Sequence, residues 1–443
     1  MKPRHTYEAG SVLVIVLWIA FGLVSIALYF ADSMASELRA SDNRLSGLAA
    51  DQAIDGAARY VSYILSNFAT NGVMPDLTEY KAEAVPVGNA HFWIIGRDPS
   101  GKPSTEPYFA LIDEASKINL NYASTNVLAY LPNMTADFAY AIVDWRNTNG
   151  SSIYTLNYAQ LNYVPKNAPF ETVDELRLVY GSSIDLLVGK DVNRNGALDE
   201  NEVDENHNGQ VDPGIFEYTT VYSREPNMHS DGTMLTNVNN QAALSPLLRA
   251  QLGASRATQI LAGFFETIRA PNGAQVRRQI TVNNLLQFYL LSKMTSTEFA
   301  KIANDITVGT APYTYGRVNV NTASATVLSC LPGMDSNSAQ QLVNYRQQNP
   351  NNLTSIAWVV DALGRSSAAI QGLAQGNYIT THSYQFMADI AAVGPYGRGY
   401  RRTRFVFDLS AGSVQIVYRQ DLSRLGWALG KNVRDTWLAK ETG

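Results

Sequence analysis

Cysteine is nearly missing from this chain: Cys330 stands alone among 443 residues, so no internal disulfide can form. In an exported domain such a thiol reads as a small buried apolar residue. Histidine is scarce too. His5, His91, His207, His229 and His382 are scattered without metal-ligand spacing, which leaves an imidazole- or thiolate-dependent metal nothing to hold. Charge is thin: Asp, Glu, Lys and Arg make up 16% of residues. A net charge of −5 and a pI near 5.6 give no general pull toward nucleic acid. No nucleophile elbow, phosphate loop or dinucleotide fingerprint occurs, and "GPYGRG" at 394–399 reads as a flexible loop between strands. Nothing here argues for an enzyme. The 24 tyrosines and low charge describe an ordered extracytoplasmic protein, long enough for about three folding units.

No charge lies between Glu8 and Asp32, and Val12 to Ala31 is almost wholly apolar. As a helix rising about 1.5 Å per residue, that run matches the ~30 Å core of a bilayer. A secretory signal has a shorter apolar region, about 7–15 residues, before its cleavage site, and Ser33-Met34-Ala35 is only a faint version of such a site. Lys2, Arg4 and His5 precede the run while Asp32 and Glu37 follow it, which orients the N-terminus to the cytoplasm. Beyond the membrane the sequence lacks proline to Phe68. Met34, Leu38, Leu45, Leu48, Ala49, Ala57, Val61, Ile64 and Leu65 form an apolar stripe at helical spacing, weakened locally at Gly47 and Gly56. A sheet of the same chain is the partner this stripe requires.

The polar stub ends at Gly10-Ser11, on the cytoplasmic edge of the apolar run. This resembles the leader of type IV pilin-like proteins, in which a prepilin peptidase cuts after the glycine and N-methylates the next residue. The resemblance implies cleavage between Gly10 and Ser11 and methylation of Ser11. The fifth mature residue, usually Glu in that family, is Ile15 here.

"KINLNYASTNVLAYLPNMTADFAYAIVDWRN" begins at Lys117 and "RVNVNTASATVLSCLPGMDSNSAQQLVNYRQ" at Arg317, and they align without a gap. Asn119 matches Asn319, Asn121 matches Asn321, Leu131-Pro132 matches Leu331-Pro332, and Arg146 matches Arg346. This is an internal duplication. Ser124 or Ser324 can cap a first helix, and Pro132 or Pro332 ends it. Gly333 permits the tight turn, as Asn133 does at modest cost, and a second helix follows. Each unit (117–147, 317–347) is thus a helix-hairpin-helix. Such hairpins often bind DNA, and the second copy resembles the unit of membrane-anchored competence receptors. Charge argues against that here. From 318 to 347 only Asp335 and Arg346 are charged, whereas phosphate binding depends on clustered cations.

"DVNRNGALDENE", Asp191 to Glu202, fits a twelve-residue calcium loop position by position. Asp191, Asn193, Asn195, Asp199 and Glu202 would supply side-chain oxygens, Asp199 through a water, and Ala197 its carbonyl. Gly196 makes the sharp turn. "DENHNGQVD" repeats the pattern with Asp204, Asn206, Asn208, Gln210 and Asp212, but its twelfth place is Ile215 and Glu217 only lies close by. A second, weaker site is expected there. The loops stand too near one another for the helix of a paired calcium switch, so the role expected is structural: cations cross-linking an acidic, Asn-rich loop (191–217).

"HFWIIG" from His91 and "YFALIDEASKINLN" from Tyr108 read as strands before the first hairpin. "YITTHSYQFMADIAAVG", "RRTRFVFDLS" and "SVQIVYRQDLS" read as strands after the second, with 405–418 as an antiparallel hairpin. "ETVDELRLVYG" at 171–181 and "TSIAWVVDALG" at 354–364 read as short helices that complete each module. Leader, long helix, duplicated hairpins and tail together resemble the K-type minor pseudopilin of the type II secretion system, the branch that lacks the mature Glu. The resemblance implies an α+β, pilin-like fold: a long N-terminal helix, membrane-spanning in its first half, packed on an antiparallel sheet. Into it is inserted an all-α domain with two helix-hairpin-helix (SAM-like) units. The implied boundaries are leader 1–10, spanning part 11–31, remainder of the helix with the first strands 32–116, insert 117–376 and C-terminal strands 377–443. It also implies the bacterial inner membrane with the C-terminal domain in the periplasm. The implied partners are I- and J-type and H-type minor pseudopilins, the prepilin peptidase, the inner-membrane secretion platform and the secreted substrate, without nucleic acid. The filament tip and the start of assembly are its expected place. A DNA-uptake protein and an unprocessed periplasmic scaffold are the competing readings.

Overall fold

The computed structural model describes residues 9–69, 72–102, 104–150, 152–269 and 275–441; most of the leader lies outside them. Helix α1, Ala9–Phe68, is unbroken. Every residue from Ser11 to Leu45 is exposed, and burial begins at Ser46. From there Ala50, Ala53, Ile54, Ala57, Ala58, Val61, Ile64 and Leu65 line one buried face, spaced as a helical stripe must be. The alanines bring the helix axis close to the sheet, while Ile54, Ile64 and Leu65 each contribute about 1.5–3 kcal/mol of apolar burial. The expected stripe is therefore divided. Met34, Leu38 and Leu45 lie exposed because the sheet reaches only as far down α1 as Ser46, whereas Leu48, also exposed, sits within the packed part but off its buried face.

The sheet holds β1 (Val85–Val87), β2 (Ala90–Ile95), β3 (Ile112–Asp113), β4 (Gln385–Val393), β5 (Arg401–Asp408) and β6 (Gln415–Asp421). Its order is β1-β2-β4-β5-β6, with β3 also against β4, and every pairing is antiparallel. Strand β4 is buried along its whole length, and its period-2 alternation gives each face a different neighbour. Phe386, Ala388, Ile390 and Ala392 pack toward α1. Ala391 and Val393 pack on the opposite face with Trp93 and Trp437. The Tyr108 segment is strand only at Ile112–Asp113 and Ile118–Asn119, with a 3-10 turn between them.

The segment 394–399 is not the flexible loop its glycines suggested. It clasps α1 where burial begins: a Cβ on Gly394 would lie 2.3 Å from the Ser46 carbonyl oxygen, and one on Gly399 2.3 Å from the Ser46 carbonyl carbon. Glycine is required there for backbone to touch backbone.

The helical insert leaves the sheet after β3 and returns before β4. Asp113 fastens both passages. Its carboxylate accepts from Ala115 N at 2.7 Å, Asn319 Nδ2 at 3.0 Å, Thr322 Oγ1 at 2.5 Å, and the Ser383 hydroxyl. Burial pushes it up to about 6 despite those bonds. Within the insert the first copy starts at Ile118–Asn119, which pairs in parallel with Thr219–Thr220, and the second at Val318–Asn319, which pairs in parallel with Ile379–Thr380. A third unit on the same plan stands between them. Thr236–Asn237 pairs in parallel with Ile306–Thr307, and helices Gln241–Leu252, Ala254–Ala262, Leu285–Ser292 and Ser296–Ala300 lie between. In all three the first Asn accepts from the second Asn's N–H at 2.9 Å: Asn119 from Asn121, Asn237 from Asn239, Asn319 from Asn321. The second Asn then grips the segment leading into a later helix, its Nδ2 donating to the carbonyls of Phe170 before Val173–Leu178, Val282 before Leu285–Ser292 and Leu353 before Ala357–Leu363 respectively. The signal was present in the sequence as "NVN" at 237–239 and again at 319–321.

Candidate functional site

Gly10 and Ser11 lie in the first turn of α1, and the Ile15 side chain is exposed on it. In the hairpins, Ser124 and Ser324 cap the first helices by accepting from Val127 and Val327 N–H. After Pro132 and Pro332, Asn133 has φ 56° and Gly333 φ 77°. Arg346 is buried, its Nη1 donating to the carbonyls of Val320 at 3.0 Å and Ala323 at 2.7 Å. Arg146 does the same to Leu120 and, at 2.5 Å, to Ala123. Each repeat arginine thus closes its own hairpin from within, and burial pulls both guanidinia down to about 10. Neither is presented to a phosphate. Cys330 is buried too, with its thiol pushed up to about 12.

The two Asp/Asn-rich loops adopt one conformation. In the first, Asp191 Oδ1 and Oδ2 accept from the N–H groups of Asn195 and Gly196 at 3.0 and 2.9 Å. Asn193 Oδ1 accepts from Asn195 N, and Asn195 Oδ1 from Ala197 N. In the second, Asp204 accepts from Asn208 and Gly209, Asn206 from Asn208, and Asn208 from Gln210. The positive φ angles recur in step: Arg194 57° and Gly196 78°, then His207 54° and Gly209 74°. These are chained Asx turns, which D-x-N-x-N-G specifies locally. Gly189 and Gly214 close the base of the pair, where any Cβ would fall 2.4 Å from facing backbone.

Their surroundings differ. The first loop is fastened to the back of the sheet, opposite α1. Arg402 on β5 is fully buried against Asp389 on β4 at 2.7 Å. Its remaining donors reach the carbonyls of Asn193 and, at 3.0 Å, Arg194. Arg97, just after β2, donates to the carbonyls of Arg194 at 3.3 Å and Asn195 at 3.2 Å. Glu217 grips Arg97 with both oxygens at 2.7 Å and so is not free to complete the second loop. Arg402 and Arg404, the latter with its Nη2 2.8 Å from Asp389 Oδ2, hold Asp389 well below the usual carboxylate range although burial opposes it. Among the described residues no such arginine clasp reaches the second loop. Gln210 donates to the Gly101 carbonyl at 3.0 Å, and Asn206, His207 and Asn208 are exposed.

All-oxygen donors with no thiolate or imidazole fit calcium by chemistry. Burial pushes Asp191, Asp199 and Glu202 upward, Glu202 to about 7 with the charges of Asp191 and Asp199 adding to the effect. Burial thus disfavours the ionised form of all three carboxylates in the first loop. Its carboxylates are kept apart. Asp199 Oδ2 accepts from the amides of Asn193 at 2.5 Å and Asn195 at 2.9 Å, while Glu202 accepts from Val192 and Asp199 N–H. Among the described residues no three of His, Cys, Asp and Glu converge on one point. In the second loop Ile215, at the twelfth place, is buried in the insert's core, and Asp212 accepts from Asn206.

Residues 314–355 match the model of a family described as the helix-hairpin-helix motif. That span is the second copy of the duplication. Among curated proteins none matches the chain. A solved structure, the GspK-GspI-GspJ complex from the enterotoxigenic Escherichia coli type 2 secretion system, has a chain to which this one is similar. The identity is 10% and the TM-score 0.38, over 84% of this chain and 96% of that one.

Proposed function

We propose that this chain is a minor pseudopilin of K type in a type II secretion system. In this reading a prepilin peptidase cuts between Gly10 and Ser11, and α1 remains in the inner membrane with its N-terminus cytoplasmic and the rest periplasmic. The protein then joins I-, J- and H-type minor pseudopilins at the filament tip to start assembly, in contact with the membrane platform. The role is structural, not catalytic.

The observation that supports this reading most is α1 itself. One helix, Ser11–Phe68, has a stretch of mean hydropathy 2.7 that is wholly unburied, so it is long and apolar enough to cross a membrane. The same helix is the spine of the sheet domain from Ser46 onward. An anchor and a scaffold in one continuous element suit a subunit drawn from the membrane into a filament. The insert makes the head broad, which suits a terminal position where no further layer is stacked. Calcium belongs to the proposal: Asp191, Asn193, Asn195, Asp199, Glu202 and the Ala197 carbonyl would hold one ion and Asp204, Asn206, Asn208, Gln210 and Asp212 a weaker second. The ion neutralises carboxylates that burial otherwise disfavours. Co-purification from membranes tests the assembly: the intact chain should bring down other minor pseudopilins, and Leu17→Asp with Ile19→Asp in α1 should abolish this. Equal recovery with both substitutions in place would contradict it.

A further inference from the structure

A cavity of about 380 Å³ opens where the second copy, the third unit and the finger 227–235 meet. The finger is a hairpin, with Leu235 N donating to the Asn227 carbonyl at 2.9 Å and His229 N to Thr233 at 2.8 Å. Asn227 roots it, accepting from the hydroxyls of Thr307 and Thr314. Apolar side chains of Leu285, Phe299, Ile306, Ile356 and Ile379 line one side. Glu225 and Arg317 line the other.

That ion pair has hydrogen-bonding capacity to spare. Glu225 is buried, its side chain only 9% exposed. Its Oε2 accepts from Arg317 Nη2 at 2.7 Å and Thr380 Oγ1 at 2.9 Å, whereas its Oε1 accepts from none of the described residues. A guanidinium carries five N–H donors. Arg317, with 11% of its side chain exposed, makes that single bond among the described residues: its Nη1 donates to none of them, and its Nε is sealed from solvent without a partner there. Buried Arg402, by contrast, donates to Asp389 and to two carbonyls. Donor and acceptor capacity left over in a buried wall is costly and calls for an occupant. The pair has no net charge, so a charged occupant would leave a buried charge unmatched. A peptide amide is neutral and offers N–H and C=O together.

We propose that this cavity binds a short uncharged peptide segment, its amide N–H donating to Glu225, its carbonyl accepting from Arg317, and one apolar side chain resting on the Phe299 and Ile356 side. The volume lies in the range of about 300–1,000 Å³ typical of ligand sites, and junctions between units are where such sites concentrate. The site goes beyond the proposed assembly role and does not depend on it.

Saturation-transfer NMR on the full chain in detergent tests this with acetyl-Gly-Leu-Gly-amide as the probe. The expected result is saturable binding of that peptide, at least tenfold weaker for acetyl-Gly-Asp-Gly-amide. Ala303→Trp, which fills the rim, should also weaken binding at least tenfold. Where Ala303→Trp lowers the melting temperature, Ser230→Trp on the exposed finger serves instead. No saturable binding, equal binding of the charged peptide, or unchanged binding in the rim variant would each overturn the proposal.

Discussion

The two Asx loops make a natural pair. "DVNRNG" and "DENHNG" give the same turns and the same positive φ angles thirteen residues apart, yet one is pressed onto the sheet and the other faces solvent. The comparison teaches that D-x-N-x-N-G is enough to specify a turn, while its worth to the fold is decided by neighbours far away in sequence. Arg402 and Arg97 supply those neighbours to the first loop. The second loop received Ile215 where the first has Glu202, and Ile215 serves the insert's core instead.

The sharpest way to break this contrast is Arg402→Met. Taking the fully buried guanidinium from Asp389, which then keeps only Arg404 at 2.8 Å, should cost about 3 kcal/mol, read by calorimetry. Hydrogen exchange should rise at 191–199 well before 204–212, and equal loosening of both loops would erase the distinction. The same pair sets an acid limit. Asp389 is depressed in the fold, so its contribution is complete above the unfolded value near 3.9 and is lost as pH falls through the folded value. Asp389→Asn should flatten that part of a stability-versus-pH curve. Next in size, Asp191→Ala removes a buried carboxylate that holds two backbone amides and should cost about 2–3 kcal/mol, while half-buried Asp204→Ala should cost about 1.

Calcium sharpens the comparison further. At tenfold excess over Kd, one ion should add about 1.4 kcal/mol and raise the melting temperature by a few degrees. Asp191→Ala should abolish most of that response, and Asp204→Ala only a minor part. A chelator that changes neither the melting temperature nor exchange across 190–217 would show the loops to be metal-free turns. Gly196→Ala should cost about 1–2 kcal/mol of backbone strain and displace Arg97, whose Nε lies 2.6 Å from the Cβ position.

Much of this architecture was legible beforehand because it rests on local chemistry. Ser124 and Ser324 cap their helices, Asn133 and Gly333 take positive φ, and β5 and β6 form the hairpin read from alternation at 405–418. What sequence reasoning missed depends on contacts between distant segments. The face of α1 could not be divided at Ser46 without knowing where the sheet ends. The 394–399 segment looked loose because its glycines serve contact with α1. The third unit was hidden because its first two helices keep little of the duplicated sequence beyond "NVN". Glu217 looked available to the second loop until Arg97, 120 residues earlier, claimed it.

All of the functional reading rests on what becomes of the first ten residues, and intact-mass spectrometry of the chain isolated from its native membrane measures that directly. The account predicts a polypeptide beginning at N-methylated Ser11 with the whole of Val12–Ala31 retained. A chain still carrying Met1–Gly10, or one cut beyond Ala31, would contradict it.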